Sequence, residues 1–243
     1  IGVRLVGSEM CIRDRDPIRR TNFFRWFINQ KEENEEFPRT ILWTDESKFT
    51  NCGIFNRHNE VLWRQENPHL LQEIRPQVKF GFNVLCGVFD NKVVGPFIYN
   101  SNLTVQRYLQ ILQNEMQDAL EQLPLLQLRK IRWFQQDGAP AHNSRIVRSY
   151  LNEEYPERWI GTHGPVQWPA RSPDLTPLDF FLWGYLKDRV YNRTYENVEE
   201  LELAVRQEIG SLPGRHIRSA IDSVFSRCQR CLQNNGRQFE YLS

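Results

Sequence analysis

The stretches ILWTDES at 41–47 and IRWFQQD at 131–137 each join a short apolar run to polar side chains. This pattern is typical of a buried central β-strand that delivers polar groups at its end, and we expect the first strand to end at Thr44. If the two strands are neighbours, Asp45 and Asp137 emerge at the same edge of the sheet, within reach of shared divalent ions. The two stretches therefore predict an α/β sheet with a candidate metal site.

Further strands are predicted around these two. Residues 79–90 alternate between two faces, one of which carries four apolar side chains and a cysteine. An Asp-Asn turn follows, and residues 93–99 return as the hairpin partner. Shorter apolar runs predict strands at 61–63 and 159–160.

Helical spacing of apolar residues predicts the remaining elements. Thr104 is a favourable N-cap for a helix of about five turns that ends near Pro124. A proline-rich, non-regular connection is expected at 164–177. Helices are predicted at 16–31 (with Ile18, Phe23, Trp26 and Phe27 on one face), 142–154, 179–191, 198–211 and 217–232. This order predicts a mixed sheet flanked by helices on both faces, with further C-terminal helices.

The composition supports one large folded domain without a global charge signal. The chain has 243 residues, 40% of them hydrophobic, and 31 Lys plus Arg oppose 30 Asp plus Glu. A net charge of +1 means that any DNA contact must come from a local patch or from a part not present here. No apolar run approaches the roughly 20 residues that cross a bilayer, so no membrane partner is expected.

The cysteines and the first residues carry little functional information. An odd count of five widely spaced cysteines argues against a disulfide framework, and the Cys228-x-x-Cys231 pair is interpreted as structural. Residues 1–15, which lack an initiator Met, resemble an adapter-derived tag. We divide the rest into a linker helix with an acidic loop (16–40), a catalytic domain with C-terminal helices (41–235) and a tail (236–243).

Carboxylates at strand ends suit metal-assisted phosphoryl transfer, because hard cations prefer oxygen ligands. Each aspartate alone is more often a turn-former or a cap. A glycosidase also needs two carboxylates that flank a cleft, and the spacing does not exclude this class. His142 is a candidate metal neighbour, general base or helix N-terminal residue, and these alternatives stay open.

Three blocks carry a resemblance to a known family. They are WTDESKF at 43–49, FQQDGAPAH at 134–142 and WPARSPDLTPLDFFLWGYLK at 168–187. In this order they resemble the signature blocks of mariner-type DDE/D transposases, and the similarity runs from about Pro17 to the C-terminus. The resemblance implies the catalytic and metal-binding roles of Asp45, Asp137 and Asp179. Asp174 is the nearest competitor, but we expect it to stabilise its turn through local backbone amides.

The resemblance also implies a fold and an activity. The fold would be RNase H-like, and the carboxylates would hold two Mg²⁺ or Mn²⁺ ions, with Asp45 bridging them. The intact enzyme would bind terminal inverted repeats as a homodimer in the nucleus, cleave the element ends and join the freed 3′-hydroxyl to target DNA. The family's N-terminal DNA-reading region is expected to be missing from this chain. The interval between Asp137 and Asp179 is longer than the commonest mariner interval, which leaves the subfamily open.

Basic and aromatic residues near the blocks are candidates for DNA contacts, although solvated surface charge is the ordinary role of such cations. The basic candidates are Lys48, Arg132, Arg145, Arg148, Arg171 and Lys187. Trp168 and Trp183 could stack on an unpaired base near the cut, but we expect them to be core residues instead.

Two other functions remain as alternatives. One is a domesticated or inactive transposase-derived domain that binds DNA or protein. The other is an RNase H-like nuclease that acts on RNA–DNA hybrids, which would cleave hybrids without any strand-transfer product.

Overall fold

A computed structural model describes residues 16–51 and 79–237 of the chain. Its centre is a six-stranded sheet with the order β3-β2-β1-β4-β5-β6. The strands are β1 (Ile41–Thr50), β2 (Gly81–Phe89), β3 (Lys92–Tyr99), β4 (Trp133–Gln135), β5 (Trp159–Gly161) and β6 (Val166–Gln167). β1, β2 and β3 pair antiparallel, whereas β4, β5 and β6 join β1 in parallel. The predicted mixed sheet and the β2–β3 hairpin are confirmed.

β1 is longer than expected, and this changes the setting of Asp45. The strand does not end at Thr44 but continues to Thr50, because β2 pairs with it along the whole second half. β4 pairs only with the first three residues, from Ile41 to Trp43. Asp45 therefore lies inside β1, at a position where the strand pairs with β2 but no longer with β4.

Helices cover both faces of the sheet, as predicted. They are α1 (Asp16–Glu33), α2 (Val105–Gln110), α3 (Met116–Glu121), α4 (Leu125–Leu128), α5 (Arg145–Glu154), α6 (Trp183–Val190), α7 (Val198–Ser211) and α8 (Gly214–Gln233). A π-helical turn, Ile111–Glu115, joins α2 to α3, so the predicted long helix is continuous. Thr104 caps it, and its Oγ1 accepts a hydrogen bond from the Arg107 amide at 3.2 Å.

Two apolar clusters fill the space between the sheet and the helices. One contains Phe27, Trp43 and Leu186, from α1, β1 and α6, together with residues of α7 and α8. The other contains Leu42 and Tyr108 on the opposite face of β1, packed by α2, α3 and α5. Since successive strand residues point to opposite faces, β1 serves both clusters.

Some predicted boundaries and faces were wrong. On α1, Ile18 is 64% exposed, whereas Phe24 is fully buried. Ile18 and Phe27 are nine positions apart, or about two and a half turns, which places their side chains on opposite faces of the helix. α1 packs into the same core as the sheet, and the division of the chain into a linker (16–40) and a catalytic domain (41–235) stays a prediction.

The passage on either side of α5 also differs from its prediction. α5 begins at Arg145 and not at His142, because Ser144 is the N-cap and accepts a hydrogen bond from the Val147 amide at 3.3 Å. The supposedly non-regular connection contains β6 and a 3₁₀ turn at Pro173–Leu175. A π-helical turn, Leu178–Leu182, precedes α6.

Several predictions lie outside the described residues, namely the strand at 61–63, the tag at 1–15 and the thiols of Cys11 and Cys52. The described cysteines, Cys86, Cys228 and Cys231, are buried free thiols. Among the helices of the described ranges, none combines the length and apolar character needed to cross a membrane.

Candidate active site

Asp45 lies on the face of β1 that α6 covers. The Trp183 indole Nε1 donates a hydrogen bond to Asp45 Oδ2 at 2.7 Å. Next to it, the Thr44 hydroxyl donates to the Gln135 carbonyl at 2.6 Å and the Thr44 amide donates to Gln135 Oε1 at 3.2 Å. These side-chain bonds tie β1 to the end of β4 just beyond their last ladder pair.

Asp137 follows β4 and enters a tight turn. Its Oδ1 accepts a hydrogen bond from the Ala139 amide at 2.9 Å, which is the local bond that an aspartate makes at the start of a turn. The turn brings His142 back, and its Nδ1 lies 2.7 Å from the same Oδ1. Asp137 is therefore held at the open end of the parallel strands.

Asp179 stands in the π-helical turn that leads into α6. Burial and the Asp137 carboxylate raise the pKa of Asp179 to about 7, against the opposing effects of Asp45 and Lys187. Burial, Asp179 and Glu46 likewise raise the pKa of Asp45 well above its ordinary value. Asp137 therefore lies close enough to raise the pKa of both Asp45 and Asp179, and Asp45 and Asp179 affect each other.

The donor set fits a hard divalent cation. Carboxylates crowded in a partly buried site repel one another, and protonation relieves this repulsion when no cation is present. Mg²⁺ and Mn²⁺ prefer oxygen ligands and would favour the ionised form of the same groups. Asp45, Asp137 and Asp179 are therefore suitable ligands for such an ion.

Glu46 and His142 extend the site on the other face of the sheet. Nε2 of His142 lies 2.9 Å from Glu46 Oε1, and ligand atoms of Glu46, Asp137 and His142 all fall within 4.8 Å of one another. Sequence reasoning missed Glu46 altogether. The available signal was strand alternation, which places neighbours of β1 on opposite faces, so that Glu46 turns toward α2 when Asp45 turns toward α6.

Two neighbouring carboxylates favour the protonated form of the His142 ring. Burial acts to lower its pKa, but the Glu46 and Asp137 carboxylates outweigh burial and raise the pKa to about 10. For Asp137, burial acts to raise the pKa, yet the contact with His142 leaves it below its ordinary value. The surroundings of Asp137 thus favour its ionised form, whereas those of Asp45 and Asp179 favour the protonated form.

Asp174 was expected to stabilise its own turn through local backbone amides, and this prediction was wrong. Its carboxylate forms a buried ion pair with Arg20 of α1: Nη1 of Arg20 donates to Oδ1 at 2.8 Å, and Nη2 contacts Oδ2. A fully buried carboxylate needs a charge partner, which local amides do not supply. Arg20 also donates to Ser172 Oγ at 2.7 Å and to the Gly236 carbonyl at 2.8 Å.

The basic candidates are spread over the molecule. Lys187 lies beside the carboxylates. Burial lowers its pKa, and the nearby Asp179 and Asp45 carboxylates act to raise it. Lys48 is exposed on the Glu46 face of β1. Arg132 precedes β4, at the end opposite to Asp137. Arg145 and Arg148 belong to α5, and Arg171 precedes the 3₁₀ turn with a φ of 55°.

The two tryptophans are core residues, as expected. Trp168 and Trp183 are buried in the cluster that includes α1 and α6. Trp183 has a second role that was not predicted, because its N–H reaches Asp45.

Comparison with known sequences finds distant relatives. No family model matches the chain. The chain is 27% identical over 204 residues to the Tc3 transposase of Caenorhabditis elegans, a match that covers 83% of this chain and 58% of that protein. It is 26% identical over 203 residues to the Tc1 transposase of the same organism, with 82% of this chain and 70% of that protein covered. The chain thus spans little more than half the length of Tc3.

Solved structures share the fold. The catalytic domain of the Mos1 mariner transposase superposes with a TM-score of 0.74 at 19% identity, covering 96% of this chain and all of that chain. A pre-cleavage Mos1 transpososome gives a TM-score of 0.78 at 18% identity, covering 98% of this chain and 68% of that chain. The predicted RNase H-like fold is confirmed.

Proposed function

We propose that this homologue of the mariner and Tc transposases is the catalytic domain of a DNA transposase, which cleaves DNA strands and transfers them with the help of divalent metal ions. The observation that carries the proposal is the convergence of Asp45, Asp137 and Asp179 from β1, the turn after β4 and the turn before α6. The Mos1 structures that share the fold include complexes with Mg, with Mn and with transposon ends.

The three carboxylates would hold two Mg²⁺ or Mn²⁺ ions. Bound ions would supply an activated water or hydroxyl and would stabilise the leaving oxygen of the phosphodiester. The chain's own residues fix the ligands: Trp183 holds Asp45, the Ala139 amide and His142 hold Asp137, and the π-helical turn before α6 carries Asp179. All three carboxylates are partly buried, which strengthens the charge interactions among them relative to bulk water.

DNA would approach the open edge of β1. Lys187 is the basic candidate best placed to contact a phosphate near the reacting bond, since it is close to both Asp45 and Asp179. Lys48, Arg145, Arg148, Arg171 and Arg132 are proposed as more distant phosphate contacts. We further propose transposon ends and target DNA as substrates, a homodimer as the working form and the nucleus as its location.

The test combines metal binding with strand cleavage. We expect Asp45→Asn, Asp137→Asn and Asp179→Asn each to weaken Mn²⁺ binding in calorimetry by at least about 100-fold, because each loses a charged ligand. Nicking of supercoiled plasmid in Mn²⁺ should fall in parallel. Asp118→Asn is the matched control, since Asp118 is an exposed aspartate on α3. Asp174→Asn is unsuitable as a control because it breaks the buried pair with Arg20.

Two results would contradict the proposal. If the wild-type chain takes up no Mn²⁺, with or without DNA, the catalytic function fails and an inactive, domesticated domain takes its place. If the chain cleaves RNA–DNA hybrids but gives no strand-transfer product with a pre-cut DNA end, the nuclease alternative replaces the transposase.

A further inference from the structure

A line of contacts runs from Glu46 through His142 to Asp137. Nε2 of His142 lies 2.9 Å from Glu46 Oε1, and Nδ1 lies 2.7 Å from Asp137 Oδ1. The first contact has hydrogen-bond geometry, whereas the second is an ion pair without the alignment of a hydrogen bond. Both ring nitrogens of His142 thus lie next to carboxylates.

The imidazole of His142 is held in place from the helical side. It is 1% exposed, and the Tyr108 ring packs on it with centroids 4.1 Å apart. The Gln136 side-chain Nε2 donates to the His142 carbonyl at 3.2 Å, and the Tyr108 hydroxyl donates to Gln136 Oε1 at 2.9 Å. A ring packed in this way has little room to turn, so it can couple the position of Glu46 to that of Asp137.

The contacts on Asp137 fall on one oxygen. Oδ1 receives both the Ala139 amide and Nδ1 of His142. These two contacts, which come from described residues, leave Oδ2 of Asp137 for a ligand. A carboxylate that is held through one oxygen presents the other oxygen in a defined direction. Hydrogen-bond partners orient metal-binding carboxylates in this way in general.

We propose that Glu46 and His142 are positioning residues, which orient the Asp137 carboxylate for the divalent ion; this inference rests on the proposed function. Neither residue is itself a ligand. Both nitrogens of His142 face carboxylates, and Glu46 points to the face of β1 opposite to Asp45. The sheet therefore separates the ligands on the α6 face from the positioning residues Glu46 and His142 on the α2 face. Asp137 connects these two groups.

Substitutions of Glu46 test this role, because its side chain is partly exposed and lies outside the two apolar clusters. Glu46→Ala removes the support of His142, and we expect Mn²⁺ affinity to fall about 10- to 100-fold. Glu46→Asp keeps the charge but is one methylene too short to reach Nε2, so it should lose affinity similarly. Glu46→Gln keeps an oxygen acceptor at the same reach and should bind within about three-fold of wild type, since the contact is restored.

Controls separate positioning from general destabilisation and from direct ligation. Glu153→Ala, an exposed glutamate on α5, should leave affinity unchanged, and near-ultraviolet circular dichroism should show that every variant is folded. Pulsed EPR of bound Mn²⁺ should show no directly coordinated nitrogen. A nitrogen coupling, or equal losses in Glu46→Gln and Glu46→Ala, would mean direct ligation and would overturn the inference.

The failure of this inference is distinguishable from failure of the proposed function. If Asp137→Asn loses Mn²⁺ while Glu46→Ala and Glu46→Asp bind as wild type, the metal site stands and the positioning role is wrong. If Asp137→Asn itself binds Mn²⁺ as wild type does, the proposed function is wrong and the inference goes with it.

Discussion

Trp183 shows how one side chain can serve the core and the site together. Trp183→Phe keeps most of the buried ring but removes the donor to Asp45 Oδ2. We expect Mn²⁺ affinity to fall about 10-fold or more, since a partner of a ligating carboxylate is lost. Trp168→Phe is the matched control, because it trims the same apolar cluster without touching Asp45. Equal effects of the two changes in calorimetry would contradict a specific role for the Trp183 N–H.

Asp179 is a residue whose charge opposes folding when no metal is bound. Its pKa of about 7 lies above the ordinary value for an unfolded chain, near 4. The folded state therefore holds the proton more tightly, and the stability of the metal-free chain falls as pH rises from about 4 to about 7. We expect Asp179→Asn to raise the Tm of the metal-free protein at pH 8, at roughly 2–4 °C per kcal/mol, and to flatten this pH dependence.

The measurement is a series of thermal scans in chelator between pH 5 and pH 8. Metal binding should show the opposite trend, because protons compete with the ion for the same oxygens, and affinity should fall as pH drops below about 7. A wild-type Tm in chelator that rises steadily over this range, with Asp179→Asn parallel to it, would refute the assignment.

At the scale of elements, the buried ion pair of Arg20 with Asp174 connects α1 to the 3₁₀ turn that precedes Asp179. Removal of one partner leaves an uncompensated buried charge, so Arg20→Met or Asp174→Asn should cost about 3–5 kcal/mol of unfolding free energy. Asp222→Asn is the control: its pair with Arg39 is partly exposed and should contribute no more than about 1 kcal/mol. Urea unfolding measures both, and similar losses would show that the buried pair has no special weight.

At the scale of the whole molecule, α1 is part of the core that supports the site. Phe24 is fully buried, and Phe24→Ala should destabilise the chain by about 3–5 kcal/mol through the cavity it leaves. Ile18→Ala, on the exposed face of the same helix, should change stability by less than about 0.5 kcal/mol. Denaturant unfolding in which both variants match wild type would show that α1 is a detachable linker.

Much of this architecture follows from local sequence alone. Alternation over 79–90 predicts β2, Thr104 predicts the start of α2, and apolar runs before Asp45 and Asp137 predict β1 and β4. These predictions hold because strand faces, caps and turns depend on residues within a few positions of one another. The three signature blocks carried the resemblance to mariner-type transposases for the same reason, since each is a short contiguous pattern.

Other features were decided only by the tertiary structure. The contact of Glu46 with His142 joins residues 96 positions apart, the bond from Trp183 to Asp45 spans 138, and the pair of Arg20 with Asp174 spans 154. No local pattern encodes such partners, because they are chosen by how the packed elements bring distant side chains together. The sequence by itself therefore determined the fold class and the candidate carboxylates. Packing decided which groups hold those carboxylates, since burial makes each polar group depend on a nearby partner.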